Sequence, residues 1–296
     1  MKKLFALLTL FAVPALYAQQ DTIAPSGIVT DTISPWMAKG NASLLFNQST
    51  FDNWLAGGEN NISGNVGINY DVNYKKGVWS WDNKFIASYG IVKTRTSAFA
   101  KKTDDRLEIN SVLGRQISRY WYYSAFANFK TQFTKGYMYE RTDEGVEVRE
   151  EYTNFMSPGY LYAGPGMLYK RDENLKVNLS PATSKFTFVD KAFTLPDEEY
   201  FGVKEGKSTR YELGFNASAY YKLDVIANVT FENILNLYSN YLEDPQNVDI
   251  DYQLNIVMKI NRYLTTNLSF QTIYDDNAFR GFQVRQVFGV AVNYGF

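Results

Sequence analysis

The final fifteen residues alternate between apolar and polar side chains. Phe282, Val284, Phe288, Val290, Val292, Tyr294 and Phe296 share one parity, and Gln283, Arg285, Gly289, Ala291, Asn293 and Gly295 the other. Successive side chains of a strand point to opposite faces, so this pattern predicts one long strand with an apolar and a polar face. The same alternation sets Ile250, Tyr252, Leu254, Ile256, Met258 and Ile260 against Asp249, Asp251, Gln253, Asn255, Lys259 and Asn261. It also sets Tyr211, Leu213, Phe215, Ala217, Ala219 and Tyr221 against Glu212, Gly214, Asn216, Ser218 and Lys222. Further upstream, Trp79, Trp81, Phe85, Ala87, Tyr89 and Ile91 oppose Ser80, Asp82, Lys84 and Ser88. Strands of soluble domains run about five or six residues, whereas a tilted membrane strand needs about nine to eleven. The apolar faces are therefore expected to meet lipid.

Between the alternating segments, short and long connections take turns. Short ones are expected at Lys75-Lys76-Gly77, Ser118-Arg119-Tyr120, Arg171-Asp172-Glu173-Asn174, Lys222-Leu223-Asp224 and Asn261-Arg262-Tyr263. Longer ones are expected over 50–59, 95–105, 135–157, 190–207, 241–248 and 275–281. Transmembrane barrels have short periplasmic turns and longer outer loops. The order predicts an all-β fold, a transmembrane up-and-down antiparallel β-barrel of about twelve strands with both termini periplasmic. Gly164-Pro165-Gly166 and Pro181 interrupt the pairing pattern, which leaves ten or fourteen strands open. Trp79, Trp81, Tyr120, Trp121, Tyr122, Tyr123, Tyr220, Tyr221, Tyr263, Tyr294 and Phe296 fall near the turn ends, as an interfacial aromatic girdle would. Tyr137, Tyr139, Tyr238, Tyr241 and Tyr274 fall near the loop ends.

Composition narrows the chemistry. Aromatics make up 17% of the 296 residues while mean hydropathy is only −0.31, which suits strands that average a lipid face with a polar one and excludes a helical membrane protein. There is no Cys, hence no disulfide, thiolate metal site or N-terminal lipid anchor. There is no His either, which removes Ser-His hydrolases and most zinc or copper sites. A formal charge of −1 without a basic stripe gives no sign of nucleic acid as a partner. Lys2 and Lys3, an apolar run and Ala18 predict a signal peptide over 1–18, too short to span a membrane. A flexible periplasmic leader over 19–38 and the barrel over 39–296 follow. The leader either lacks structure or docks on a periplasmic partner.

If the alternation holds, Asp82, Lys84, Arg106, Glu108, Lys130, Glu212, Glu232, Asp251, Lys259 and Arg285 face the lumen. Their mixed signs suit either an aqueous path with little ionic preference or cross-barrel pairs that plug the interior. Trp54, beside the Gly57-Gly58 pair, is expected either to fold into the barrel mouth as a gate or to sit at the membrane interface. Acidic loops carrying Glu140, Asp143, Glu144, Glu147, Glu150 and Glu151, then Asp197, Glu198, Glu199 and Glu205, then Asp275-Asp276, have no ordered metal-ligand spacing. They suit a solvated surface linked to lipopolysaccharide through divalent cations, and no cofactor is expected. Phe296 after alternating apolar residues resembles the C-terminal signature read by barrel-assembly machinery.

Phe46-Asn47-Gln48, Phe51, Asn53-Trp54 and Gly57-Gly58-Glu59-Asn60, after Trp36 and Gly40, resemble the N-terminal signature of an uncharacterised outer-membrane barrel family of Bacteroidota carrying a domain of unknown function. The resemblance spans nearly the whole mature chain and implies the outer membrane of a Gram-negative cell, but no reaction and no ligand residues. The expected function is a non-enzymatic passive solute channel or envelope structural component in contact with outer-membrane lipid. The alternatives are an accessory or anchor subunit of a secretion or assembly complex with envelope protein partners, and an outer-membrane hydrolase, which the lack of His disfavours.

Overall fold

Each alternating segment forms a strand, and the barrel strands pair in chain order except for one pair that meets past an intervening hairpin. The computed structural model describes residues 34–50, 59–195 and 199–296. The strands are β1 (Trp36–Ser49), β2 (Asn61–Lys76), β3 (Trp79–Thr94), β4 (Lys101–Gln116), β5 (Trp121–Thr131), β6 (Gly136–Arg141) and β7 (Glu147–Thr153). They continue as β8 (Gly159–Lys170), β9 (Leu175–Phe188), β10 (Thr209–Ile226), β11 (Val229–Asn240), β12 (Val248–Lys259), β13 (Leu264–Asp275) and β14 (Phe279–Gly295). Twelve of them close an antiparallel barrel in the order β1-β14-β13-β12-β11-β10-β9-β8-β5-β4-β3-β2, while β6 and β7 form a separate two-stranded sheet. No helix among the described residues is long and apolar enough to cross a membrane.

The strand count matches the expected twelve, and several local expectations change. The turn expected at Lys222-Leu223-Asp224 lies at 227–228, because β10 continues to Ile226 through an irregularity at Asp224 and reverses where Asn228 takes a φ of 66°. Asparagine tolerates that left-handed geometry. The expected loop at 135–157 contains the β6–β7 hairpin, and β4 already begins at Lys101 within the expected loop at 95–105. The expected long loop at 275–281 shrinks to the three residues between β13 and β14, within the two- to four-residue range of the turns at the other end. β1 begins at Trp36, inside the segment expected as leader. Pro165 keeps its place opposite Ala125 of β5, and the break falls on the β9 side, where the register shifts between Ala163 and Met167. There the Ser180 hydroxyl donates to the Pro165 carbonyl at 2.6 Å, so a bulge absorbs the proline and the strand is not lost.

Burial is inverted relative to a soluble protein. Among the described residues the buried side chains are mostly polar, including Glu108, Asn178, Thr183, Lys185, Glu212 and Gln253, while Leu44, Phe46, Val66, Phe85, Phe288 and Val292 stand exposed on the outer face. Exposed apolar area on this scale has to meet something apolar, and a closed barrel leaves no unpaired edge to do so at a cost in hydrogen bonds. The barrel therefore crosses a membrane. Trp36 lies against Tyr74 and Trp81, and Trp121 against Tyr169, near the turn end. Arg115 and Arg262 add cations over Trp79 and Tyr263. Tyr122 and Tyr220, expected in this girdle, face inward instead, as does Tyr238 at the other end, because each has the parity of its strand's polar face.

The seam between β1 and β14 closes at the chain's last residue. Gly40 donates to the Phe296 carbonyl at 2.7 Å, and the Phe296 N–H donates back to the Gly40 carbonyl at 3.0 Å. The Phe296 ring lies over Gly40, where a Cβ would come within 2.4 Å of it, and stacks on Tyr70. Glycine at 40 lets the ring cover the seam.

Candidate functional site

Parity fixes what the lumen contains, and strand order fixes what can meet across it. β4 and β12 are six places apart in a ring of twelve, as are β3 and β11, so each pair stands on opposite walls. A circular barrel of this size would measure roughly 25 Å from backbone to backbone, given the spacing and tilt of strands. Yet Arg106 of β4 donates through Nη1 to Oε1 of Gln253 on β12 at 2.9 Å. An extended arginine and glutamine span at most about 15 Å between backbones with that bond included. The barrel is flattened at this level, with β3 and β4 facing β11 and β12.

The contact belongs to a layer. Glu108, 4% exposed, pairs with Arg106 and accepts from Asn110 at 2.8 Å and Asn128 at 3.1 Å. Lys130 of β5 reaches Asp251 of β12 at 2.7 Å, and Gln271 of β13 donates to the same carboxylate at 2.9 Å. Arg285 of β14 reaches Asp104 of β4 at 2.7 Å, with Asn65 of β2 donating to that carboxylate at 3.0 Å. Strands from both flat walls and one narrow end thus meet in a polar septum. A second bridge lies nearer the turns, where Lys84 of β3 stands 3.8 Å from Asp71 and 3.9 Å from Glu232 of β11. Glu232 also accepts from the Tyr220 hydroxyl at 2.9 Å.

The remaining sequence-expected residues fall around these bridges. Asp82 accepts from Lys170 at 2.7 Å and Lys176 at 3.1 Å near the turn end. Glu212 lies at the loop end with Lys185, 2% exposed, whose ammonium is 3.3 Å from Glu212, 2.9 Å from Asp249 and 3.9 Å from Asp275. Lys259 lines a chamber of about 540 Å³ and has no ionic partner among the described residues. Trp54 lies outside the described residues, as do the expected signal peptide and most of the leader. Asp104, Lys185, Lys170 and Lys176 escape the sequence reading, and Asp249 and Gln253, although set on the polar face of their strand, are not among its lumen candidates. All share their strands' inward parity, the signal that could have found them.

The septum leaves chambers on both sides. One of about 540 Å³, toward β1, β2, β13 and β14, is walled by amides and hydroxyls such as Asn41, Ser43, Asn69, Asn255, Asn267 and Asn293 together with charged and apolar side chains. Two smaller ones, of about 210 and 300 Å³, lie toward β8, β9, β10 and β11. Another of about 420 Å³ opens at the loop end above Arg106, Lys130 and Arg285. Asp249, Asp275 and Asp276 approach one another closely enough to hold a cation, but Lys185 already sits against two of them.

Outside the barrel, Glu147 ties down the β6–β7 hairpin. Its carboxylate takes the Lys101 ammonium at 2.6 Å, the Ala98 N–H at 2.6 Å and the Ser97 hydroxyl at 3.0 Å. The Lys101 bond first, then those from Ala98 and Ser97, hold the carboxyl at about 2, below its ordinary 4.5, against the opposing effect of burial. Because the folded-state value is depressed, this tether is fully present above about pH 4.5 and is lost as pH falls through about 2. Hydrogen-exchange protection across 136–153, taken relative to the intrinsic rate at each pH, should be high at pH 5 and fall near pH 2, and Glu147→Gln should lower it at neutral pH. Equal exchange in the variant at neutral pH would dismiss Glu147 as the tether.

Residues 46–137 match a family model described as a protein of unknown function (DUF3078). A search of curated proteins finds no match. Among solved structures, the chain is similar to the translocator domain of autotransporter NalP from Neisseria meningitidis, at 9% identity over 88% of each chain with a TM-score of 0.40. It is similar to an outer membrane channel from Pseudomonas putida F1, at 9% identity over 92% of this chain and 98% of that one, TM-score 0.40. It is also similar to the CymD monoaromatic hydrocarbon channel, at 8% identity over 88% and 87%, TM-score 0.32.

Proposed function

We propose that this chain is a non-enzymatic integral outer-membrane barrel that provides a narrow, passive path for small polar solutes, with the septum as its gate. The observation that carries this reading is the septum itself. Its walls are joined by hydrogen bonds and ion pairs, such as Arg106 to Gln253 and Lys130 to Asp251, and amide-lined space lies to either side. A barrel serving only as an anchor would be more stable with an apolar, close-packed interior, since buried ion pairs do little for stability beyond what hydrophobic packing of the same volume provides. Polar contacts across a wet lumen can part and re-form with water as substitute partner.

Both termini in the periplasm, contact of the acidic loops with lipopolysaccharide, and recognition of the β14 end by barrel-assembly machinery belong to the same proposal. Planar-bilayer recording and liposome swelling with the purified protein test it. Small, infrequent current steps with slow entry of small uncharged solutes are expected. Large, permanently open steps would remove the septum as a gate, and fully inserted protein that passes neither ions nor any small solute would sink the path.

A further inference from the structure

Three polar side chains on the inner wall are almost wholly buried and incompletely bonded. Asn178 is 3% exposed, Asn216 5% and Tyr238 3%, and the Asn178 Nδ2, the Asn216 Oδ1 and the Tyr238 hydroxyl have no hydrogen-bond partner. They lie on three adjacent strands, Asn216 opposite Tyr238 across β10 and β11, and Asn178 opposite Ser218 across β9 and β10. A buried donor or acceptor left unmade costs more than a made bond gains, so native proteins satisfy nearly all of them.

The side chains that carry these atoms line adjoining spaces. Asn178 lines the chamber of about 210 Å³ and Asn216 and Tyr238 the one of about 300 Å³, and both chambers share Asn110, Val112, Ser218 and Asn236 as walls. A single water claims only about 30 Å³, so these are spaces for something larger. The charged groups at their borders are already matched, Lys130 with Asp251 and Arg106 with Glu108. An ionic ligand would have to compete with those pairs. Beside the amides stand apolar surfaces, Phe126 in one chamber, Leu168 in the other and Val112 between them. Convergent donors and acceptors beside apolar walls are the make-up of a small-molecule site.

We infer that these adjoining chambers bind an uncharged, polyhydroxylated ring of monosaccharide size. Its hydroxyl oxygens accept from Asn178 Nδ2, a hydroxyl donates to Asn216 Oδ1, the Tyr238 hydroxyl takes a third bond, and a C–H face rests against Phe126 and Val112. This deepens the solute-path reading and rests on it. Equilibrium binding in detergent needs no conduction, so its failure is distinguishable from failure of that reading.

The test uses the full barrel in detergent micelles, with D-glucose, D-galactose and myo-inositol as probes and saturation-transfer NMR as readout. Saturable binding in the millimolar range is expected for at least one probe. Tyr238→Phe and Asn216→Leu should each weaken it roughly 5- to 10-fold. Tyr238→Phe should leave the urea unfolding midpoint unchanged or raised, because it removes only a polar atom that is unsatisfied without ligand, whereas Asn216→Leu also gives up the bond from Asn216 Nδ2 to the Leu237 carbonyl. Absence of saturable binding for all three probes would mean that water alone fills the chambers and would overturn the inference, as would affinities untouched by both substitutions.

Discussion

Replacing Lys185 with Met should destabilise the barrel by about 3–5 kcal/mol, the usual result of removing one partner from a buried ionic cluster. The ammonium is the shared cation of Glu212, Asp249 and Asp275, and it lies 5.0 Å from the Tyr238 ring centroid and 5.7 Å from that of Tyr162. It joins β9 to its neighbour β10 and to β12 and β13, which lie three and four places away in the ring. Met fills similar volume, so the effect isolates charge from packing. Without the cation, Asp249 and Asp275 face each other uncompensated, while Glu212 keeps Arg210 at 3.4 Å. Asp249→Asn added to Lys185→Met should therefore recover part of the loss. Urea unfolding followed by tryptophan fluorescence in detergent measures both variants, and a single-variant midpoint equal to wild type would refute the cluster's role.

How far such a site can be read from sequence depends on whether its geometry is local. Parity is local. A period of two sends Asp82, Lys84, Arg106, Glu108 and Arg285 to the same face as their alternating neighbours whatever the barrel does elsewhere. Loop lengths are local too, which made the strand count legible despite Pro165 and Pro181. Asp104 was lost because the β3–β4 loop was drawn to residue 105, and Lys185 because its strand lay beyond a proline read as a break. Gln253 has the right parity and no charge to draw attention to it. Cross-lumen pairing is not local at all. Arg106 and Gln253 are 147 residues apart in sequence and opposite in the ring, and they meet only because the barrel is flattened. No pattern along the chain encodes that flattening.

Removing the septum in whole pairs should open the path without unfolding the protein. Arg106→Ser or Lys130→Ser alone would strand Glu108 or Asp251 as an unpaired buried charge, and any rise in current would be confounded by instability. The fourfold variant Arg106→Ser, Glu108→Ser, Lys130→Ser and Asp251→Ser removes two cations and two anions together. The net charge of the lumen is unchanged, and small hydroxyl side chains that water can satisfy replace the long ones. Single-channel conductance should rise by about 5- to 10-fold, because resistance concentrates at the narrowest layer of a pore. Reversal potential in a salt gradient should shift little, since no sign is favoured by the exchange. The two readings separate the causes. Higher conductance with steady selectivity identifies the layer as a steric and hydrogen-bonded gate. A large shift in selectivity would show that its charges filter ions while other groups set the bore. Unchanged conductance in a correctly folded variant would place the closure elsewhere, with the Lys84 to Glu232 bridge the next layer along the same walls.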